Sequence, residues 1–91
     1  MPFDLVLPSR LASQGWKVKI REFERLEPPH ATVIRKTTTW RFGLRDGEFL
    51  DRKPPPHEVP AELVEHLRAS LDELRAAWDA KYPENPVGDD R

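Results

Sequence analysis

The sequence predicts a small α+β domain, an antiparallel sheet of three to five strands packed on one C-terminal amphipathic helix. Three observations carry this reading. Between Trp16 and Arg45, apolar and charged side chains alternate with the period of a half-buried strand. Between Pro60 and Lys81, leucines recur at helical spacing. Pro54-Pro55-Pro56, a stiff polyproline-type connector, separates the two patterns. One sheet face and one helix stripe each need cover, and they supply it to each other.

The elements follow in order. Phe3, Leu5 and Leu7 alternate as in a short strand, and Pro8-Ser9 opens a single turn up to Gly15. Trp16 to Glu24 is a strand: Trp16, Val18 and Ile20 point one way, Lys17, Lys19 and Arg21 the other. Glu27-Pro28-Pro29 stops it, because proline donates no ladder hydrogen bond. Ala31 to Lys36 and Thr38 to Arg45 are two further strands joined by a tight turn at Lys36-Thr37, which pairs Val33 with Trp40 and Ala31 with Phe42. Asp46-Gly47 signals a two-residue type I′ hairpin that pairs Arg45 with Glu48 and Leu44 with Phe49. The helix starts at Pro60, where a missing N–H costs nothing, with Glu62 and Glu65 favoured by the helix dipole. Leu63, Leu67, Leu71, Leu74 and Trp78 form its buried stripe, widened by Val64 and Tyr82. Glu65, Arg68, Asp72, Arg75 and Asp79 form the opposite, solvated face. Residues 1–83 make one domain, and residues 84–91 a mobile tail.

Composition narrows the function classes. A chain of 91 residues is a single domain with a modest core. The absence of cysteine excludes a disulfide framework, a thiol nucleophile and a cysteine-based zinc site. The N-terminal apolar run is broken by Asp4 and Pro8 and has no basic leader, and no stretch is long enough to span a bilayer. A cytoplasmic protein without membrane contact is the expectation. Charge is divided unevenly: residues 1–53 carry eleven Lys and Arg against seven Asp and Glu, residues 54–91 four against nine. The basic half holds the sheet, so an anionic partner is expected on that side, unless the halves simply attract each other.

Two features could carry function. Lys17, Lys19, Arg21, Arg41 and Arg45 are placed on the sheet face away from the helix, with Thr32 and Thr39 between them. Cations and hydroxyls on a flat surface suit phosphate contacts, although exposed strands also use Lys and Thr for solubility and to block edge pairing. Phe23 is the one aromatic side chain there, so stacking contributes little. The second feature is His30, which follows Pro28-Pro29 and could serve as a general acid or base, with Arg35, Lys36 or Arg41 beside a phosphate anion. The plainer reading is a histidine held by a structural hydrogen bond. His57 and His66 do not add metal-ligand spacing, and no glycine-rich phosphate loop or Ser–His–Asp pattern is present, so no metal or cofactor is expected.

The stretch Pro28-Pro29-His30-Ala31-Thr32-Val33, with Leu74-Arg75-Ala76-Ala77-Trp78 on the last helix, resembles a family of small bacterial proteins of unknown function. That family carries Pro-Pro-His-x-His-Val near the start of a strand, and some members sit in toxin–antitoxin-type gene pairs. Thr32 stands here where the second histidine of the motif would be. The resemblance implies a fold, and with it a toxin–antitoxin-like context.

Three functions are therefore expected as alternatives. The first is a binding domain that meets nucleic acid or an acidic protein through the basic sheet face. The second is a metal-independent ribonuclease-type toxin using His30. The third is a self-association module, a homodimer formed by strand addition at the exposed sheet edge beside the first or last strand, together with Ile34 and Leu50 on the outer face.

Overall fold

The structure, a computed structural model, describes residues 3–21 and 26–87. It is an α+β domain with a four-stranded antiparallel sheet in the order β1-β2-β3-β4. The strands are β1 (Phe3–Asp4), β2 (Trp16–Ile20), β3 (His30–Arg35) and β4 (Thr38–Gly43). The helices are α1 (Ser9–Ser13), α2 (Ala61–Ala69) and α3 (Leu71–Lys81), with a 3-10 turn at Pro56–Glu58. No helix among the described residues is long and apolar enough to cross a membrane.

The register of the β3–β4 hairpin agrees with the sequence pattern: Val33 faces Trp40 and Ala31 faces Phe42. The turn is the two residues Lys36-Thr37, with Lys36 at a φ of 55°. Val18 lies opposite Val33 on β2, so Trp16, Val18, Ile20, Ala31, Val33, Trp40 and Phe42 make one buried face. The helices close it with Leu63, Leu67, Leu74 and Trp78, none with any exposed surface. Leu11 of α1 joins the same core. The short first strand pairs Phe3 with Ile20, and its ladder continues where the Leu5 amide donates to the Val18 carbonyl at 2.9 Å.

Several details depart from the sequence expectation. The helix from Pro60 is two helices, because Ser70 leaves helical angles at φ −100° and ψ 13°. The leucine period runs through this break unaltered and so gives no sign of it. The outward arginines of these helices are not simply solvated. Arg75 donates from Nε to the Leu44 carbonyl at 2.6 Å and from Nη2 to the Arg45 carbonyl at 3.1 Å. Arg68 donates to the Gly47 carbonyl at 3.3 Å.

Those carbonyls belong to the segment expected to be a two-residue hairpin. Instead β4 ends at Gly43, and a wider loop brings Phe49 opposite Phe42. The Gly43 amide donates to the Glu48 carbonyl at 2.8 Å, and the Leu50 amide to the Arg41 carbonyl at 2.9 Å. Leu44 is the physical reason: it turns fully into the core, its amide bound to the Pro29 carbonyl at 3.0 Å. Gly47 takes φ 74°, and the Asp46 carboxylate accepts the Glu48 amide at 3.0 Å. Arg45 and Glu48 are thus not cross-strand partners. Residues 49–50 line the outer edge of β4 alongside Arg41 to Gly43. Leu50 itself is 36% exposed, and Ile34 is half-buried.

The expected tail begins at residue 84, yet Asn85 and Val87 pack. The Trp78 indole donates to the Asn85 carbonyl at 2.7 Å, and the Asn85 amide group to the Glu27 carbonyl at 2.8 Å. Val87 is buried, and its amide is bound by Asp79 at 2.8 Å. Residues 88–91, the end of the expected tail, and Glu22, Phe23 and Glu24, the end of the expected first long strand, lie outside the described residues.

Candidate functional site

The helices cover one sheet face, and strand alternation sends the remaining side chains to the other. Lys17 lies opposite Ile34, Lys19 opposite Thr32, and Thr32 opposite Arg41. The sequence-predicted cations Lys19 and Arg41 thus flank one threonine in a single cross-strand row, with Lys17 two residues along β2. Thr32 is only 3% exposed, so its neighbours close over it. Arg21 follows directly on β2 and is exposed, and its carbonyl accepts a hydrogen bond from the Tyr82 hydroxyl. Arg45 does not join the row. Because β4 stops at Gly43, Arg45 lies in the following loop, where its Nε donates to the Val87 carbonyl at 3.4 Å.

Two cations of the row are already held by carboxylates. The Lys19 ammonium is 3.3 Å from Asp4, its cross-strand neighbour on β1. Arg41 is bound more firmly. Its Nε and Nη2 engage both oxygens of Asp51, at 2.7 and 2.6 Å, and its Nη1 donates to Glu27 at 3.0 Å. A guanidinium fork on a carboxylate is a strong, directional pair. It raises the Arg41 pKa further above its ordinary value, and the hydrogen bond from Arg41 holds the Asp51 carboxyl below the usual carboxylate range. Lys17 is exposed and has no ion pair among the described residues. Sequence reasoning missed Asp51 and Glu27 altogether. Asp51 reaches Arg41 only because Leu50 pairs with Arg41, a register that the Asp46-Gly47 signal hides.

The Asp51 pair gives an acid-range prediction. A carboxyl whose folded pKa is depressed adds stability above its unfolded pKa of about 4 and loses it as pH falls through the folded value. Wild type should therefore exceed Asp51→Asn in urea midpoint at pH 7. The gap should narrow below about pH 4. Equal midpoints at neutral pH would show that this pair does not stabilise the fold.

His30 opens β3 and has no exposed surface. Its Nδ1 lies 2.8 Å from the Pro28 carbonyl. A carbonyl only accepts, so Nδ1 carries the proton. Nε2 is 3.9 Å from the Glu27 carboxylate, and the ring packs 5.4 Å from the Trp78 indole. An acid–base group must come within hydrogen-bond reach of the proton it moves, and this imidazole has no exposed surface. Arg35 and Lys36, its expected helpers, stand at the opposite end of β3 and in the turn beyond it. His66 instead binds the Val6 carbonyl at 2.8 Å, and His57 is exposed in the 3-10 turn.

Fold and surface together define a small α+β domain with a partly neutralised row of cations on its helix-free sheet face. No family model matches the chain, and no curated protein or solved structure matches it.

Proposed function

We propose that this chain is a small binding domain that meets nucleic acid across the outer face of its sheet. The observation that supports it is the in-register row of Lys19, Thr32 and Arg41 beside exposed Lys17, on the face that the helices leave free. Each phosphate that a cation engages releases counterions, so binding is salt-sensitive. Asp4, Asp51 and Glu27 oppose a polyanion there, which makes the affinity modest and the salt dependence shallow.

The test is an electrophoretic shift with mixed RNA and DNA at low and physiological salt. Lys17→Ala, Lys19→Ala and Arg21→Ala are combined, and Arg41 is left in place because it also holds Asp51 and Glu27. The triple variant should bind more weakly, and its log–log salt slope on duplex DNA should flatten by about 0.9 for each phosphate no longer engaged. RNA should be recovered intact. An unchanged slope removes this face from the interaction. Failure of wild type to shift either nucleic acid at low salt turns the reading to an acidic protein partner.

A further inference from the structure

One end of the sheet carries a second cationic feature, distinct from the outer row. Trp16, Arg35, Lys36, Thr37, Thr38, Trp40 and Glu58 line a hollow of about 300 Å³. Arg35 pairs with Trp16 and Thr38 in the register of the buried face, so this hollow lies toward the helix side, away from Lys17 and Lys19.

Arg35 is held ready rather than free to swing. Its Nε donates to the Gln14 carbonyl at 3.2 Å, and its guanidinium sits 5.5 Å from the centre of the Trp16 ring. The Trp16 ring in turn packs 5.5 Å from Trp40, whose indole N–H is fixed on the Pro55 carbonyl at 3.1 Å. With Nε engaged and the ring face covered, the two terminal amino groups of Arg35 have no hydrogen-bond partner among the described residues. A pre-oriented fork with two open donor groups matches the oxygens of a phosphoryl group.

Lys36 adds a second cation at the lip, exposed and without an ion pair among the described residues. It does so from a left-handed backbone, φ 55°, where glycine or asparagine is the comfortable residue of such a turn. Thr37 and Thr38 supply hydroxyls. The hollow is larger than a phosphoryl group needs, and Glu58 on its wall can accept hydrogen bonds from hydroxyl or amino groups of an attached body.

We propose that this hollow binds a phosphomonoester, carried on a free nucleotide or on the end of a nucleic-acid strand. The inference does not rest on the outer-face reading and uses none of its residues.

The full chain, isotope-labelled, is titrated with adenosine monophosphate at constant ionic strength and followed by amide and indole NMR shifts. Backbone amides of residues 35–38 and the Trp16 indole should move saturably. Arg35→Ala should weaken binding by about tenfold or more, the worth of a charge-assisted hydrogen bond. Lys36→Gly should fold at least as stably as wild type, because glycine takes this φ freely, and yet bind more weakly. A dinucleotide with a 5′-phosphate that binds more tightly than the mononucleotide identifies a strand end as the source. Weaker binding of the dinucleotide identifies the free nucleotide, and equal affinity shows that the phosphomonoester is recognised on either carrier. The proposal is overturned if no saturable shift occurs, if Arg35→Ala binds as wild type, if shifts collect on Lys17 and Lys19 instead, or if the dinucleotide binds equally well without its phosphate.

Discussion

Trp78→Ala is expected to remove about half of the domain's stability. The indole has no exposed surface, packs 4.3 Å from Tyr82 and 5.4 Å from His30, and donates to the Asn85 carbonyl. It therefore joins three parts of the chain: the start of β3, the end of α3 and the segment after it. Truncating a buried tryptophan to alanine costs about 3–5 kcal/mol, part transfer energy and part cavity. A chain of this length has a total of roughly 5–10 kcal/mol to lose, since small domains bury a smaller share of their surface. In thermal unfolding followed by circular dichroism, the midpoint should fall by about 15 °C or more. Trp78→Phe keeps an apolar ring and gives up only the indole hydrogen bond and some volume, so it should fall by much less. A midpoint for Trp78→Ala within about 5 °C of wild type would mean that this side chain does not join the layers.

Trp78 is legible in the sequence because its role is periodic. It ends a 4-4-3-4 stripe, and burying a stripe against an alternating sheet has few alternatives. The β3–β4 register is legible for the same reason, since a slip of one residue would turn Trp40 and Phe42 out of the face they share with Val33. What stays hidden depends on single, non-periodic interactions. The Asp46-Gly47 pair carries a true local signal, and Gly47 does adopt positive φ. Tertiary demand overrides its simplest use: Leu44 is drawn into the core, and Arg75 binds the carbonyls of Leu44 and Arg45. The consequence reaches the candidate site. In a two-residue turn Arg41 would face Arg52, whereas in the observed register it faces Leu50 and grips Asp51. The row of cations is visible as composition; the carboxylates that restrain it are not. The prolines before His30 suggest a loop, but a buried strand position needs knowledge of what packs above, here Trp78.

Gly43→Ala is expected to destabilise the domain by about 1–3 kcal/mol, as an overpacked core position does. A Cβ built there would lie 2.7 Å from the Glu48 carbonyl oxygen, 3.1 Å from the Leu50 side chain and 3.2 Å from the Asp46 carboxylate. The side chains could turn away, but the nearest atom is backbone, and it is the acceptor of Gly43's own amide at 2.8 Å. Relief of the clash therefore pulls apart the pairing that closes the loop. The melting midpoint should drop by roughly 5–20 °C, and amide exchange should speed up at Gly43 and at Leu50, the next bond of the same ladder. Asp51 follows Leu50, so its grip on Arg41 should loosen too, and the neutral-pH advantage over Asp51→Asn should shrink in the Gly43→Ala background. Gly47→Ala provides the comparison. Its Cβ would meet only Leu71, at 3.9 Å, and the expected cost is the left-handed strain alone, about 1 kcal/mol. The order, Gly43 more sensitive than Gly47, reverses what the Asp46-Gly47 turn signal alone would suggest, because close backbone approach outweighs turn preference here. If Gly43→Ala retains both stability and slow exchange at Leu50, then β4 does not close against residues 48–50 in this register, and Asp51 loses the placement that brings it to Arg41.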